Sequence, residues 1–329
     1  MKKVMRCMCM IAVVALAFTS CKKNEEKSTI VASTQEFVMQ TEDGERAYIE
    51  NFGNHHIHFE VGDMCMLFNI NETVPTQSHA CAYEAIEEGD VVHFQNAGWG
   101  EIAEDIMDGF YGFYPGGPGQ TITELSQGEN KCKFFVDPIQ EYREDMVSLK
   151  DMYMAAKVTP DEATTMSEAN FAFKNICGIL QLKPYEAAQR TVTSIEIVDN
   201  AFNLSGWCEL IIPEVDADEM QALFNNFDMS NPTYVAQLQA YLNRVGYNMT
   251  DQGNSITLNV PGGVQLGATK AETPAFNFVL RPLALSQGFH VIFTFDDGSV
   301  KDCDLSHVTS IMMKPNVYRV NQGLNLDNY

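Results

Sequence analysis

Short segments in which apolar and polar residues alternate recur along most of this 329-residue chain, and they restrict its fold more than any other feature. Ile57, Phe59 and Val61 alternate with His56, His58 and Glu60. Met64, Met66, Phe68 and Ile70 continue after a turn at Gly62-Asp63. Ile256, Leu258 and Val260, then Phe276, Phe278 and Leu280, repeat the pattern. Phe289, Val291, Phe293 and Phe295 end at Asp296-Asp297-Gly298, a strong hairpin signal. Alternation with period two buries one face of a strand and wets the other, as in antiparallel sheets. Many such strands, parted by Gly, Pro and Asn turns, imply all-β domains.

One region departs from this period. Met220, Leu223, Phe224 and Phe227 fall at i, i+3, i+4 and i+7, a helical stripe that Asp216 or Asp218 can cap. A second helix is predicted from Asn231, with Pro232 at its first position, through Val235, Leu238, Leu242 and Val245 to a stop at Gly246. The expected organisation is a β-domain over residues 29–165 and a second over 166–329, with a helical hairpin inserted at about 216–246. The boundary is placed in the acidic, loop-like stretch Thr159 to Glu168. The apolar stripe is expected to pack the hairpin onto its own, second domain, with a partner groove as the alternative.

The first residues read as an export signal. Lys2, Lys3 and Arg6 precede the apolar run Met10 to Phe18, and the small residues Thr19 and Ser20 lead into Cys21. The apolar run is far short of the ~20 residues that span a bilayer. Phe18-Thr19-Ser20-Cys21 fits the site at which a lipoprotein pathway acylates cysteine, so residues 1–20 are read as the signal, Cys21 as the lipid attachment, and 21–28 as a tether. Lys22-Lys23-Asn24-Glu25-Glu26 resembles the charged tag that carries some lipoproteins of Gram-negative anaerobes to the outer face of the outer membrane.

Loss of the signal takes three basic residues from 21, so 18 remain against 44 acidic ones and the formal charge moves from −23 to −26. A chain this acidic is repelled by nucleic acid and by anionic membrane surfaces. Of nine Cys, Cys7 and Cys9 leave with the signal and Cys21 takes lipid. The remaining Cys65, Cys81, Cys132, Cys177, Cys208 and Cys303 show no CxxC or regular spacing and sit mostly in apolar runs, where they read as small buried hydrophobes.

No catalytic signature emerges. His56 and His58 share a solvent face with Glu60 but lack a further metal ligand. Pro115-Gly116-Gly117-Pro118-Gly119 lacks the Lys-Ser/Thr ending of a phosphate loop and reads as a sharp turn. There is no GxSxG elbow and no paired-carboxylate motif. Neither an enzyme activity nor a cofactor or metal is expected. Trp99 and Trp207 read as packing residues, with a sugar platform as the minor alternative.

Basic residues are distributed unevenly. Between Ser28 and Asn130 the one Lys or Arg is Arg46, in Thr41-Glu42-Asp43-Gly44-Glu45-Arg46-Ala47. Such a polar, Gly-containing linker is where proteolytic nicking concentrates. Upstream, Ser33 to Gln40 reads as a strand with Val31, Phe37 and Met39 on one face. A trypsin-like cut between Arg46 and Ala47 would separate that strand from the rest of its domain.

These features, in order, resemble the fimbrillins, Mfa-like surface lipoproteins of the type V pilin superfamily. The likeness is carried by the Cys21 site, Gly62-Asp63 before an apolar strand, Phe110-Tyr111-Gly112-Phe113-Tyr114-Pro115 and Asp151-Met152-Tyr153-Met154-Ala155. It continues through Phe171 to Leu180, Val192-Thr193-Ser194-Ile195 to Gly206, Phe276 to Pro282, and Val317-Tyr318-Arg319-Val320. Lys314-Pro315-Asn316 and Asn175-Ile176-Cys177 depart from the family's usual turns.

The resemblance implies two tandem transthyretin-like antiparallel β-sandwich domains, and assembly by strand exchange after a protease removes the first strand at a basic residue, here Arg46. Tyr318, Val320, Leu324 and Leu326 share one register and suit a donor strand, or else close their own domain. The expected function is a fimbrial subunit or fimbria-associated adhesin at the cell surface. Its partners would be other fimbrial subunits, in a homo- or heteropolymer, and the outer membrane through the lipid. The alternative is a monomeric surface lipoprotein that binds a glycan or a host protein.

Overall fold

The computed structural model describes residues 29–34, 38–41, 58–100, 102, 108–117, 121–123, 129–144, 152–163, 165–200, 204–225, 230–245, 248–281, 284–285, 287–308, 317–320 and 323–329. The described residues are mostly β, with 22 strands numbered here in chain order and two α-helices. No described helix is long and apolar enough to cross a membrane.

Seven strands close into a barrel in the order β1 (Thr29–Thr34), β11 (Asn170–Asn175), β10 (Met154–Val158), β6 (Gly109–Tyr114), β3 (Met64–Ile70), β4 (His79–Ala85) and β5 (Val91–Gly100). The first half is thus a closed barrel where an antiparallel β-sandwich was expected. The boundary placed at 165/166 falls between β10 and β11, two paired neighbours in that barrel. β3 and β6 are buried along nearly their whole length, on both faces. The Met64–Ile70 segment alternates less than its even positions suggest, because Cys65 and Leu67 are as buried as Met66 and Phe68. Val61, expected on the inner face, is exposed because it enters the Gly62-Asp63 turn.

The second half holds a five-stranded sheet in the order β20 (Val300–Leu305), β19 (Phe289–Phe295), β14 (Thr191–Asp199), β17 (Ser255–Gln265) and β9 (Ile139–Glu141). Facing strands form the order β18 (Phe276–Leu280), β12 (Gly178–Leu182), β21 (Val317–Val320) and β2 (Val38–Thr41). A parallel pair, β13 (Pro184–Tyr185) with β22 (Leu324–Asn325), adds to this unit. Here the predicted alternation holds: Phe289, Val291, Phe293 and Phe295 are buried, as are Ile256, Leu258 and Val260, and they share one apolar cluster.

A last sheet joins the two halves, in the order β16 (Asn248–Gly253), β15 (Ser205–Ile211), β8 (Lys131–Val136) and β7 (Thr121–Thr123). The helices α1 (Ala217–Asn225) and α2 (Pro232–Arg244) lie between β15 and β16 in sequence. Asp216 Oδ1 accepts from the backbone N–H of Asp218 and Glu219 at 2.9 and 3.0 Å, and Asn231 Oδ1 accepts from that of Thr233 at 3.0 Å. These caps satisfy donors that helix starts leave unpaired.

The hairpin's buried face does not join the second-half cluster. Met220, Tyr234, Leu238, Tyr241 and Val245 belong to the barrel's cluster, as do Cys208 and Leu210 of β15. The reason is tethering. β15 pairs with β8, which holds this layer against the barrel. The hairpin that follows β15 meets β11, where Lys174 pairs with Asp218 and Gln221 Nε2 donates to the Asn175 carbonyl at 3.2 Å.

Candidate functional site: the N-terminal strand and its seam

The N-terminal segment is held by both halves of the protein. β1 lies between β5, to which it runs antiparallel from Thr29↔Gln95 to Ser33↔Val91, and β11, to which it runs parallel from Val31↔Asn170 to Thr34↔Phe173. Thr34 N also donates to the Asp90 carbonyl at 3.0 Å. β2 then leaves the barrel and pairs parallel with β21, from Val38↔Val317 to Thr41↔Val320. The one strand expected over Ser33 to Gln40 is therefore two, one in each half.

The face of β1 also differs from the sequence reading. Ile30 and Ala32 are buried and Val31 is only half-buried. The partners explain this: Ile30 stands opposite Phe94, and Ala32 opposite Val92 and Phe171, all of them buried. Val31 stands opposite His93 on the outer face, where His93 is hydrogen-bonded to Glu87. That hydrogen bond holds the Glu87 carboxyl below its ordinary value.

Within the barrel, Phe59 packs edge-on against Phe94 at 5.1 Å, Tyr114 at 5.3 Å and Phe173 at 6.1 Å between centroids. Phe59 exchanges backbone hydrogen bonds with Gly89, 2.7 and 3.1 Å. Chain on either side of residues 42–57 is thus anchored separately: β1 and β2 before them, Phe59 after them. Arg46 and Ala47 lie outside the described residues, as do Cys21, His55 and His56. His58 is exposed.

Removal of β1 would leave β5 and β11 with unpaired backbone and an apolar cleft, a strand-addition site in chemical terms. Ile30 alone contributes about 1.5–3 kcal/mol by its burial.

The C-terminal candidates occupy two places. Tyr318 and Val320 lie on β21, between β12 and β2. Leu324 and Leu326 are buried in the second-half cluster. Their segment is fixed by Leu324 N donating to the Lys183 carbonyl at 3.2 Å and by Ala187 N donating to Asp327 Oδ2 at 3.0 Å. Beside it, the buried Glu186 accepts from Arg190 Nη2 at 2.7 Å and from Nε at 2.9 Å, and the guanidinium lies over Phe295, 3.6 Å from the ring centroid.

The other candidates resolve simply. Among the described residues no group of three His, Cys, Asp or Glu side chains is arranged to hold a metal. Gly116 packs on β3, its N–H donating to the Met64 carbonyl at 2.8 Å, and a Cβ there would stand 2.5 Å from Met66 N. Cys65, Cys81, Cys132, Cys177, Cys208 and Cys303 are all buried. Trp207 is half-buried on β15 against Phe135 of β8, at 5.3 Å, while Trp99 of β5 is 40% exposed.

Together these features define an all-β protein whose barrel is completed by its own N-terminal strand. No family model matches the chain, and no curated relative matches it. Solved structures overlap it over most of its length. One from Bacteroides uniformis, provisionally named a cell adhesion protein, has a TM-score of 0.47 at 11% identity, covering 91% of this chain and 93% of its own. The tip fimbrial protein of Porphyromonas gingivalis, with a C-terminal truncation, has a TM-score of 0.31 at 10% identity, with coverage of 84% and 81%. A fimbrial assembly protein from Parabacteroides distasonis has a TM-score of 0.31 at 7% identity, with coverage of 89% and 90%. These names agree with the fimbrillin resemblance read from the sequence. Overlaps this loose add no argument of their own.

Proposed function

We propose that this chain is a fimbria-associated surface subunit, exported as a lipoprotein through Cys21 and joined to neighbouring subunits by strand exchange. In this reading a trypsin-like protease cuts between Arg46 and Ala47. The freed N-terminal piece takes β1 and β2 away, and a strand from a neighbour fills the vacated seam. The segment carrying Tyr318, Val320, Leu324 and Leu326 is donated in turn to another subunit. Each Leu gives up about 1.5–3 kcal/mol of burial on release and regains it in the acceptor.

One observation carries the reading: the thirteen residues 29–41, immediately upstream of the single basic residue in a long stretch, complete two separate sheets. Loss of this one piece therefore frees three strand edges at once, those of β5, β11 and β21. The half-exposed Phe135–Trp207 pair favours the second reading, a monomeric lipoprotein that binds a glycan or host protein.

The test is intact mass and N-terminal sequencing after treatment with a trypsin-like protease, with Arg46→Ala alongside. A start at Ala47, with new oligomers that resist mild denaturant and are absent from the variant, is the expected result. A start at lipidated Cys21 with monomers alone would refute the proposal.

A further inference from the structure

We infer that the seam vacated by β1 takes a strand from a different polypeptide, one with the pattern large apolar–any–Ala, Ser or Gly, and not the 317–329 segment of a second copy of this chain. This rests on the reading that β1 leaves, and it names the partner that the reading leaves open.

The seam is shaped by its present occupant. The inward row of β1 begins with Ile30 opposite Phe94 and continues with Ala32 between Val92 and Phe171. All five side chains are at most 1% exposed. The position of Ala32 is small because its neighbours are large and fully buried. Phe171 stacks on Phe173 at 6.3 Å. Phe173 in turn fills the barrel to its far wall, where a Cβ added at Gly112 would meet its Cζ at 2.8 Å and Leu67 Cδ2 at 3.2 Å. A larger side chain at position 32 has to displace these rings, and interiors this close-packed resist added methylenes.

β5 and β11 run in opposite directions on either side of β1, so an incoming strand may run either way. The requirement is the same in both: a large apolar residue two positions from a very small one. The segment Val317-Tyr318-Arg319-Val320-Asn321-Gln322-Gly323-Leu324-Asn325-Leu326-Asp327-Asn328-Tyr329 contains one very small residue, Gly323. Two positions to either side of it stand Asn321 and Asn325, neither of which replaces Ile30. Every register that puts Tyr318, Val320, Leu324 or Leu326 at the Ile30 position places a Val, Leu, Tyr or polar residue at the Ala32 position. The copy's own tail thus lacks the required pattern, and assembly through this seam is heterologous.

The test uses the full chain with a site-specific protease sequence in place of residues 42–46, cut to completion and then offered labelled 13-residue peptides. The peptides are residues 29–41, the same sequence with Ala32→Leu, and residues 317–329. The expected result is that 29–41 enters the seam, while both others occupy it at least about tenfold less at equal concentration. Equal or better occupancy by 317–329 would overturn the inference, as would equal occupancy by the leucine peptide or entry by no peptide at all. In the uncut chain, Ala32→Leu should lower the unfolding midpoint and Ala32→Ser should leave it nearly unchanged; equal midpoints for both would also overturn it. Because the engineered cut does not depend on Arg46, failure of a trypsin-like protease to cut there would sink natural processing and leave this result standing.

Discussion

Replacing Gly112 with alanine asks how completely the barrel is filled. A Cβ at this β6 position would stand 2.8 Å from Phe173 Cζ, 3.1 Å from its Cε1 and 3.2 Å from Leu67 Cδ2. Carbon atoms rest at about 3.5–4.0 Å from one another, so the ring must withdraw by roughly 0.7 Å or more. Phe173 is fully buried, with the Phe59 ring at 6.1 Å and the Phe171 ring at 6.3 Å. Overpacking of this kind costs about 1–3 kcal/mol, and relief of glycine's backbone freedom offsets about 0.5–1 kcal/mol of it. A net loss of about 1 kcal/mol, and at most about 2.5 kcal/mol, is expected.

The assay is urea unfolding followed by tryptophan fluorescence in a Trp207→Phe background, which leaves Trp99 of β5 as a reporter within the barrel. Shortening the obstructing ring should rescue part of the loss. Gly112→Ala with Phe173→Leu is therefore expected to be more stable than the sum of the single effects by at least about 0.5 kcal/mol. A neutral or stabilising Gly112→Ala, or strict additivity in the cycle, would refute the picture of a barrel packed to its wall.

Further outcomes are expected elsewhere. Arg190→Met should cost about 3–5 kcal/mol at neutral pH by stranding the buried Glu186; a cost below about 1 kcal/mol would show that the pair contributes little. Burial pushes the Glu186 carboxyl up, but hydrogen bonds and charge from Arg190 more than reverse this and hold it below its ordinary value. A carboxyl depressed in the folded state contributes stability above its unfolded pKa of about 4.3 and loses it as pH falls through the folded value. Wild type should therefore weaken in acid below about pH 4, and the Arg190→Met variant should lack that component. The six buried thiols should ignore a polar thiol reagent until the chain unfolds, since burial pushes Cys303 up to about 12 and Cys65 and Cys132 well above the ordinary thiol value. Rapid labelling of the native protein would contradict this. Asn231→Ala should cost about 1 kcal/mol through loss of the α2 cap, measured by thermal unfolding.

Legibility in the sequence tracked the range of the interactions. The α2 start at Asn231-Pro232, the Asp216 cap and the Asp296-Asp297-Gly298 hairpin depend on near neighbours, and each lies where local chemistry placed it. The Phe289 to Phe295 alternation was legible because one face of β19 is wet. β3 misled in part, since a strand covered on both faces has no reason to alternate.

What local pattern could not convey is which strands meet. Nothing within residues 29–41 announces a parallel partner at 170–173 and another at 317–320, and that omission misplaced the buried face onto Val31. The same limit hid the pairing of β8 with β15, and so the landing of the helical hairpin on the barrel. Of the candidate site, the sequence showed a strand ahead of Arg46. The seam's dimensions, set by Val92, Phe94 and Phe171 around Ala32, needed three dimensions.

The pairing of β1 also has a consequence for the order of folding. Ala32 meets Phe171, 139 positions later, and Val38 meets Val317, 279 positions later. β11 is the last barrel strand to be synthesised, so the second edge of β1 waits longest for its partner. Contacts this distant in sequence form slowly, because chain closure must precede any stabilisation from them. β5 can pair with β1 as soon as residue 95 is made, but until β11 follows the other edge of β1 lies open beside an apolar interior, the kind of surface on which unfinished chains misassociate. The barrel thus closes last along the β1–β11 edge, the line that joins the N-terminal strand to the rest of the wall.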